Sequence, residues 1–525
     1  MVTLHDETNE RIRPDRIAKR IAGNGGVGMV GMVGVQTNQF PRAVDIARQL
    51  RARGVQVCIG GFHVSGCLSM LPELPEDLRE AMDLGISLFA GEAEGRFEAL
   101  LQDALRGELK PLYDFMKDLP GLEGAPTPIL PAAQIRRTAG ALTSFDAGRG
   151  CPFRCSFCSI INVQGRKSRR RSPDDIERIV RHNVAQSINR LFITDDNFAR
   201  NADWEPILDR LIELRENEGI KLKLTIQVDT LCHRIPRFIE KCGRAGVNRV
   251  FIGLESIDPE ALAAAKKRQN DITEYRRLLQ AWHAAGAMTT AGYILGFPTD
   301  SPESIARDVE IIKRELPIDV LEFFILTPGP GSEDHQVLYN KGVWMDPDMN
   351  KYDSMHVTTA HPVMSEAELK AAFDRAWRTY YTKEHMETIM RRARGRGMSR
   401  RRDVLLWFYS CIHFEGVHPL DGGFLRLKSR RDRRPGMPLA SPWVYYPQRI
   451  WKTLSTQARL LALLVRFTLV RKRIRRDPER RAYLDDAVTP VELPEFDTLE
   501  IFTQTESARV AAAKYPMRPE HATAP

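Results

Sequence analysis

Three cysteines within eight positions carry the strongest chemical signal in this chain. Cys151, Cys155 and Cys158 stand in the run Arg149-Gly150-Cys151-Pro152-Phe153-Arg154-Cys155-Ser156-Phe157-Cys158, a C-x3-C-x2-C spacing. Three thiolates on one short loop can ligate three irons of a cubane cluster, whereas a structural zinc or an ordinary ferredoxin-type site needs a fourth ligand. The next cysteines, Cys232 and Cys242, lie far along the chain, so one iron would lack a protein ligand. An iron with an open position can chelate a small molecule and pass it an electron. The bland alternatives are a zinc loop or buried structural cysteines. The 8 cysteines in 525 residues are too sparse for a disulfide framework, and their clustering points to metal in a reducing compartment.

The elements around the loop predict where it sits. Apolar runs at Leu142–Ala147, Arg190–Thr194, Lys221–Val228, Arg249–Leu254, Thr289–Leu295 and Val320–Leu326 read as strands, with helical stretches between them. Ser172 before Pro173-Asp174-Asp175, and Ser301 before Pro302-Glu303, have the form of helix N-caps. Six strand–helix units in series predict a partial (β/α)6 parallel barrel, whose chemistry belongs at the C-terminal ends of the strands. The cysteine loop follows the first strand. Asp195 and Asp196 follow the second, and Gln227 and Asp229 end the third. Gly253, Glu255 and Ser256 close the fourth, and Gly292 and Gly296 bracket the end of the fifth. Each has a plainer reading: a helix cap for the aspartates, an exposed strand end, or tight packing for the glycines.

Upstream, Val27–Val35 and Val55–Ile59 read as buried strands flanking a helix over Pro41–Arg53, the pattern of a doubly wound Rossmann-like sheet. Gly60-Gly61-Phe62-His63 follows the second of these strands, and Gly91-Glu92-Ala93-Glu94 comes later. The expected domains are a short Rossmann-like unit over 1–115, a linker over 116–140, the barrel over 141–335, a basic helical region over 336–485 and a loosely ordered tail over 486–525.

Composition is that of a soluble globular protein, with 43% hydrophobic and 28% charged residues, and the net charge is +9. The excess is local, gathered at Arg391–Arg402, Arg426–Arg434 and Arg471–Arg481. No uninterrupted apolar run of the length of a spanning helix occurs and no signal-peptide core opens the chain, so the expected location is cytoplasmic. The apolar helix at Trp451–Val470, flanked by arginines, could lie on the inner face of an anionic membrane or pack on the barrel. No nucleic-acid module is recognisable, so nucleic acid is not an expected partner.

The cysteine segment, with the aromatic Phe157 before its third cysteine, resembles the signature of the radical S-adenosylmethionine (SAM) superfamily. That resemblance implies a [4Fe–4S] cluster on Cys151, Cys155 and Cys158 that cleaves SAM to a 5′-deoxyadenosyl radical. It implies an electron donor such as flavodoxin or ferredoxin and a small-molecule substrate. It also implies that Phe157 lies by the cluster, that Asp195 and Asp196 take the amino group of SAM, and that Gln227, Gly253, Glu255, Ser256 and Gly296 line its site. The Gly60-Gly61-His63 segment is similar to the cobalamin-binding domain joined to many members, which implies cobalamin there and methylation or ring formation on a lipid-like or tetrapyrrole-like molecule. The D-x-H-x-x-G motif of some cobalamin proteins is absent, and the domain reads as lacking its leading strand–helix unit. A methylthiotransferase should carry a three-cysteine N-terminal domain, which Cys58 and Cys67 do not supply, and the oxygen-independent coproporphyrinogen oxidase type normally lacks the Gly-Gly-x-His domain. A non-catalytic iron–sulfur sensor or scaffold, binding membrane or nucleic acid through the basic region, is the rival from another class.

Overall fold

The computed structural model describes residues 2–127, 129–138, 140–395, 401–416, 418–419, 422, 430–431, 437–477 and 499–514. Most of the Arg426–Arg434 cluster and parts of Arg391–Arg402 and Arg471–Arg481 lie outside the described residues.

Two parallel sheets organise the chain. The first holds β1 (Met29–Met32), β2 (Gln56–Gly60), β3 (Ser87–Ala90) and β4 (Leu112–Asp114) in that spatial order. Side chains alternate across it because successive strand residues point to opposite faces. Val57, Ile59, Leu88 and Ala90 pack with Ala47 and Leu50 of the helix Phe40–Arg51, while Cys58, Phe89 and Tyr113 pack with Leu100 on the other face.

The second sheet runs β5 (Leu142–Phe145), β6 (Arg190–Ile193), β7 (Lys223–Val228), β8 (Val247–Glu255), β9 (Met288–Leu295) and β10 (Val320–Ile325), every neighbour parallel and in chain order. This is the expected partial (β/α)6 arrangement. Both anticipated caps are real: Ser172 and Ser301 each accept from a backbone N–H three residues on and start the helices Pro173–Ala185 and Pro302–Glu315.

Leu224, Ile226, Val228, Val250, Ile252, Leu254, Leu321 and Phe323 turn outward into the helices and are almost wholly buried. The residues between them face the concave side and are polar or only half-buried: Thr225 and Gln227 on β7, then Arg249, Phe251, Gly253 and Glu255 on β8. Arg249 donates to the Thr290 hydroxyl at 3.2 Å and sits 3.8 Å from Glu322, so the inner wall carries charge across three strands.

The C-terminal helices pack on this barrel. Leu369, Phe373, Trp377 and Tyr380 of Glu366–Tyr380 enter its core, and Tyr380 Oη donates to the Ile318 carbonyl. The next helix, Lys383–Gly395, follows after a short break. The helix anticipated at Trp451–Val470 extends to Pro442–Arg476, 35 residues, and is long and apolar enough to cross a membrane by length and composition.

Two boundary expectations need correction. The 486–525 segment is not uniformly loose, because Glu500–Thr503 and Glu506–Lys514 are helical and docked on the barrel. Ile501 is fully buried there, and Glu315 accepts from the backbone N–H groups of Glu500 and Ile501. The composition of the tail hides one apolar anchor. The 116–140 linker is also pinned to the barrel: Gly124 donates to Asp175, Ala132 to Gln186, and Arg171 to the Ala125 carbonyl.

Candidate functional site

The cysteine loop leaves the end of β5 through Asp146 and Ala147. It is closed at its base by a short antiparallel ribbon, Gly148–Arg149 against Arg169–Arg170. Gly150 has φ +93°, and the space for a side chain is filled by the Lys167 carbonyl, so only glycine fits the turn into Cys151. Cys151 N–H then donates to the Gly165 carbonyl, and Ser156 N–H to the Ala265 carbonyl. The loop is thereby held both to itself and to the segment after β8.

The three thiols fit a cluster. Cys155 is buried, and Cys151 and Cys158 are half-buried. Burial raises the Cys151 thiol and pushes that of Cys158 up to about 12, so free thiolates are disfavoured there without a cation. Gln269 Nε2 donates to Cys155 Sγ at 3.3 Å, an N–H aimed at a sulfur as in sites that tune iron–sulfur clusters. Among the described residues no group of three or more His, Cys, Asp or Glu side chains is set to hold a metal ion. A cubane gives each thiolate its own iron, so its ligands stand wider apart than those of one ion.

The two aspartates after β6 divide their work in a way the sequence did not show. Asp195 is consumed by the scaffold: Oδ1 accepts from Ala147 N–H and Gly148 N–H, both at 2.7 Å, and Oδ2 from Asn201 at 2.8 Å. It anchors the start of the cysteine loop, and burial pushes its acid up to about 7. The expectation that it takes an ammonium is corrected on that ground. Asp196 differs. Its Oδ2 is buried and has no hydrogen-bond partner, and burial raises the acid to about 6. An orphaned carboxylate oxygen beside the cysteine loop suits the ammonium of an amino-acid-like ligand.

Asp229, a candidate for the cavity wall, is likewise corrected. It is locked by both nitrogens of a bidentate Arg200, at 2.6 and 2.8 Å, and by Asn197. Arg200 in turn covers the Phe153 ring of the cysteine loop. Gln227 stays on the inner face, where its amide donates to the Asp195 carbonyl at 3.4 Å.

At the end of β8 a bulge between Gly253 and Glu255 breaks the register with β9, and Glu255 adopts φ +64°. Left-handed backbone at a non-glycine residue marks a site worth the strain. Its carboxylate pairs with Lys267, which is buried, lies over the Phe157 ring at 5.6 Å and keeps its charge. Burial works against that charge, but Glu255 and the neighbouring Cys155 outweigh it. A Cβ on Gly253 would stand 2.7 Å from Glu255 Oε1 and 3.0 Å from Lys267 Nζ, so the glycine makes room for the pair. Asn270 donates to the carbonyls of Gly253 and Leu254, fixing the strand end.

Ser256 is corrected: its hydroxyl accepts from Asp258 N–H, and the residue is buried, so it shapes the turn. Gly296 has φ +93°, and its side-chain space is taken by Leu369 of the C-terminal helix, which favours the packing role.

In the small domain the nominated residues are also occupied by their own chain. Gly61 abuts the Val35 backbone and Gly60 abuts Phe89. His63 is wholly buried, packed at a tilt against the Phe40 ring and bonded through Nε2 to Asp77 at 2.8 Å, so it is not placed as a ligand. The small domain is fastened to the mouth of the barrel. Glu92, two residues beyond β3, pairs with Arg149 and Arg169 at the root of the cysteine loop, and Arg149 also binds Glu94 and Asp146. Gly66 of the helix Phe62–Met70 packs on the Pro330 carbonyl after β10. The C-terminal edges of the two parallel sheets therefore face each other, as ligand-binding edges of parallel sheets do.

Sequence reasoning missed Lys267, Gln269 and Asn270. They lie in Lys266-Lys267-Arg268-Gln269-Asn270, a polar run that reads as a solvated loop, and no spacing rule distinguishes it.

Residues 147–312 match the family model of the Radical SAM superfamily. Among curated proteins, the chain is 29% identical over 360 residues to bacteriochlorophyllide d C-8(2)-methyltransferase of Chlorobaculum tepidum, covering 64% of this chain and 73% of that one. It is 26% identical over 293 residues to the hopanoid C-2 methylase of Rhodopseudomonas palustris, covering 54% and 53%. Among solved structures, the fold matches the methyltransferase TsrM from Kitasatospora setae, determined with cobalamin and a [4Fe–4S] cluster. The TM-score is 0.55 at 16% identity, over 85% of this chain and 91% of that one.

Proposed function

Because this chain carries a radical SAM domain, we propose that it is a cobalamin-assisted methyltransferase acting on an unactivated carbon of a lipid-like or tetrapyrrole-like small molecule. The observation that carries the reading is the cysteine loop at the barrel mouth, with the unpartnered Oδ2 of Asp196 beside it and the small domain's sheet edge turned toward it. The curated relatives are methyltransferases, which favours methyl transfer over ring formation and supports an enzyme rather than a sensor or scaffold. Their names, a bacteriochlorophyllide and a hopanoid enzyme, support a large apolar substrate.

Cys151, Cys155 and Cys158 would hold the [4Fe–4S] cluster, which would supply the electron for cleaving SAM. Gln269 donates to Cys155 and so steadies its thiolate. Asp196 holds the ammonium of SAM. The Glu255–Lys267 pair keeps the end of β8 rigid against the cysteine loop, with Phe157 packed beneath the lysine. The half-polar inner wall, from Gln227 to Arg249 and Glu322, orients the substrate, and the docked small domain excludes water. Cobalamin would be held between the facing sheet edges by the backbone of the small domain, while His63 is engaged with Asp77. A flavodoxin or ferredoxin is the fitting electron donor, and the protein works in the cytoplasm with peripheral contact to the membrane's inner face.

The test uses anaerobically reconstituted protein with cobalamin, SAM and a low-potential reductant. The control is C151A/C155A/C158A. Cysteine-dependent formation of 5′-deoxyadenosine or S-adenosylhomocysteine, with a corrinoid absorbance that co-elutes with the protein, is the expected result. An intact reduced cluster whose EPR signal ignores SAM would overturn the SAM reading. Turnover of SAM by protein that retains no corrinoid would overturn the cobalamin part alone.

A further inference from the structure

The helix Pro442–Arg476 contains nine basic residues and no acidic one. That equals the whole net charge of +9, so basic and acidic residues balance over the rest of the chain. One stripe of the helix, Leu463, Phe467, Val470 and Ile474, is buried against the helices Lys383–Gly395 and Arg401–Ser410. The opposite stripe is also apolar but faces out. Trp443, Trp451, Leu454, Leu461, Val465 and Leu469 recur at helical spacing and are all exposed, the two tryptophans at 88% and 74%. An outward stripe of this kind extends over about 40 Å of helix at about 1.5 Å per residue, more than monomeric soluble proteins leave bare without a use.

We propose that this outward stripe docks in the plane of an anionic lipid bilayer, deepening the peripheral membrane contact advanced above. Three features choose this occupant. Tryptophans favour the membrane–water boundary, and both exposed ones lie in the N-terminal part of the helix. Arg471, Lys472, Arg473, Arg475 and Arg476 crowd its other end, where anionic headgroups neutralise them. A second copy of this chain is disfavoured, since pairing along the stripe would face nine positive charges with nine more and no acid between. The helix lies in the surface rather than through it. Arg459 and Arg466 interrupt its apolar run, and the Leu463–Ile474 stripe is already covered by protein. The substrate class this geometry favours is one drawn from the bilayer.

The experiment is co-sedimentation of the full-length protein with vesicles of phosphatidylcholine, with and without one-third phosphatidylglycerol. Neither cluster nor turnover is needed, so failure here leaves the SAM chemistry standing, and failure of that chemistry leaves this result standing. Binding should be at least about tenfold stronger to the anionic vesicles, given roughly fivefold per basic side chain near the surface. W451S/L461S/V465S should lower it at least about tenfold, and R471Q/K472Q/R473Q/R475Q/R476Q should abolish the preference for anionic lipid. Quenching of tryptophan fluorescence by brominated lipid should be strong in the wild type and reduced in W443F/W451F, a pair that keeps the aromatic bulk and the fold. No partition to either vesicle would overturn the proposal. So would a concentration-dependent dimer abolished by the triple serine variant, or retention on RNA that this variant leaves unchanged.

Discussion

Exchanging the two neighbouring aspartates separates scaffold from site. Asp195→Ala strips three buried partners, Ala147 N–H, Gly148 N–H and the Asn201 amide, of their acceptor. Each unsatisfied buried donor costs about 1–3 kcal/mol, so the variant should lose about 3–9 kcal/mol near pH 5. The sign of the pH dependence follows from the acid's shift. Its folded pKa is about 7 against a reference of 3.8, so its contribution is whole below 3.8 and is lost as pH rises through 7. The penalty of Asp195→Ala should therefore shrink by roughly 2–3 kcal/mol between pH 5 and pH 8. Asp196→Ala removes one oxygen with no partner and the carboxylate's single backbone bond from Gly150 N–H, and should cost about 1–2 kcal/mol, less than Asp195→Ala. It should instead weaken SAM binding about 10- to 100-fold, the loss of one charge-assisted contact of about 1.5–3 kcal/mol. Urea denaturation of the cluster-free protein reads the first pair of effects. Equilibrium dialysis with SAM on the reconstituted protein reads the last. An Asp195→Ala protein as stable as wild type, or an Asp196→Ala protein with unchanged SAM affinity, would refute the assignment.

Three other outcomes are expected. Lys267→Met leaves the half-buried Glu255 carboxylate unpaired and should cost about 2–4 kcal/mol, whereas E255Q/K267M should regain most of it in a denaturant cycle. Asp300 accepts from Gly296 N–H and Phe297 N–H, and burial raises it to about 7; wild-type stability should fall as pH climbs from 5 to 8, and Asp300→Asn should flatten that slope by roughly 2–3 kcal/mol. Gly66→Ala drives a methyl into the Pro330 carbonyl and should loosen the small domain from the barrel, read as faster proteolysis within 116–140 with the barrel's amide exchange unchanged.

The barrel was legible because its signals are local. All six of its strands fall within two residues of the apolar runs, and Ser172 and Ser301 cap the helices their neighbours announced. The cysteine loop was legible for a similar reason, since three ligands on one loop are adjacent in sequence. What misled was chemistry whose partner is remote. Asp195 and Asp196 look alike in a string, and only the Ala147 and Gly148 amides, some 48 residues away, tell them apart. His63 looks available until Asp77 and Phe40 close over it.

Residue type and short-range order were thus sufficient for the strand count, the helix starts and the metal-binding loop, because period, capping and ligand spacing act within a few residues. Tertiary structure decided which polar groups are spent on the scaffold and which stay free. It buried Lys267 against Glu255, aimed Gln269 at Cys155, and set an all-basic helix with one apolar face in the body and another outside it. Burial and long-range pairing set these outcomes, and neither is a property of any short stretch of chain.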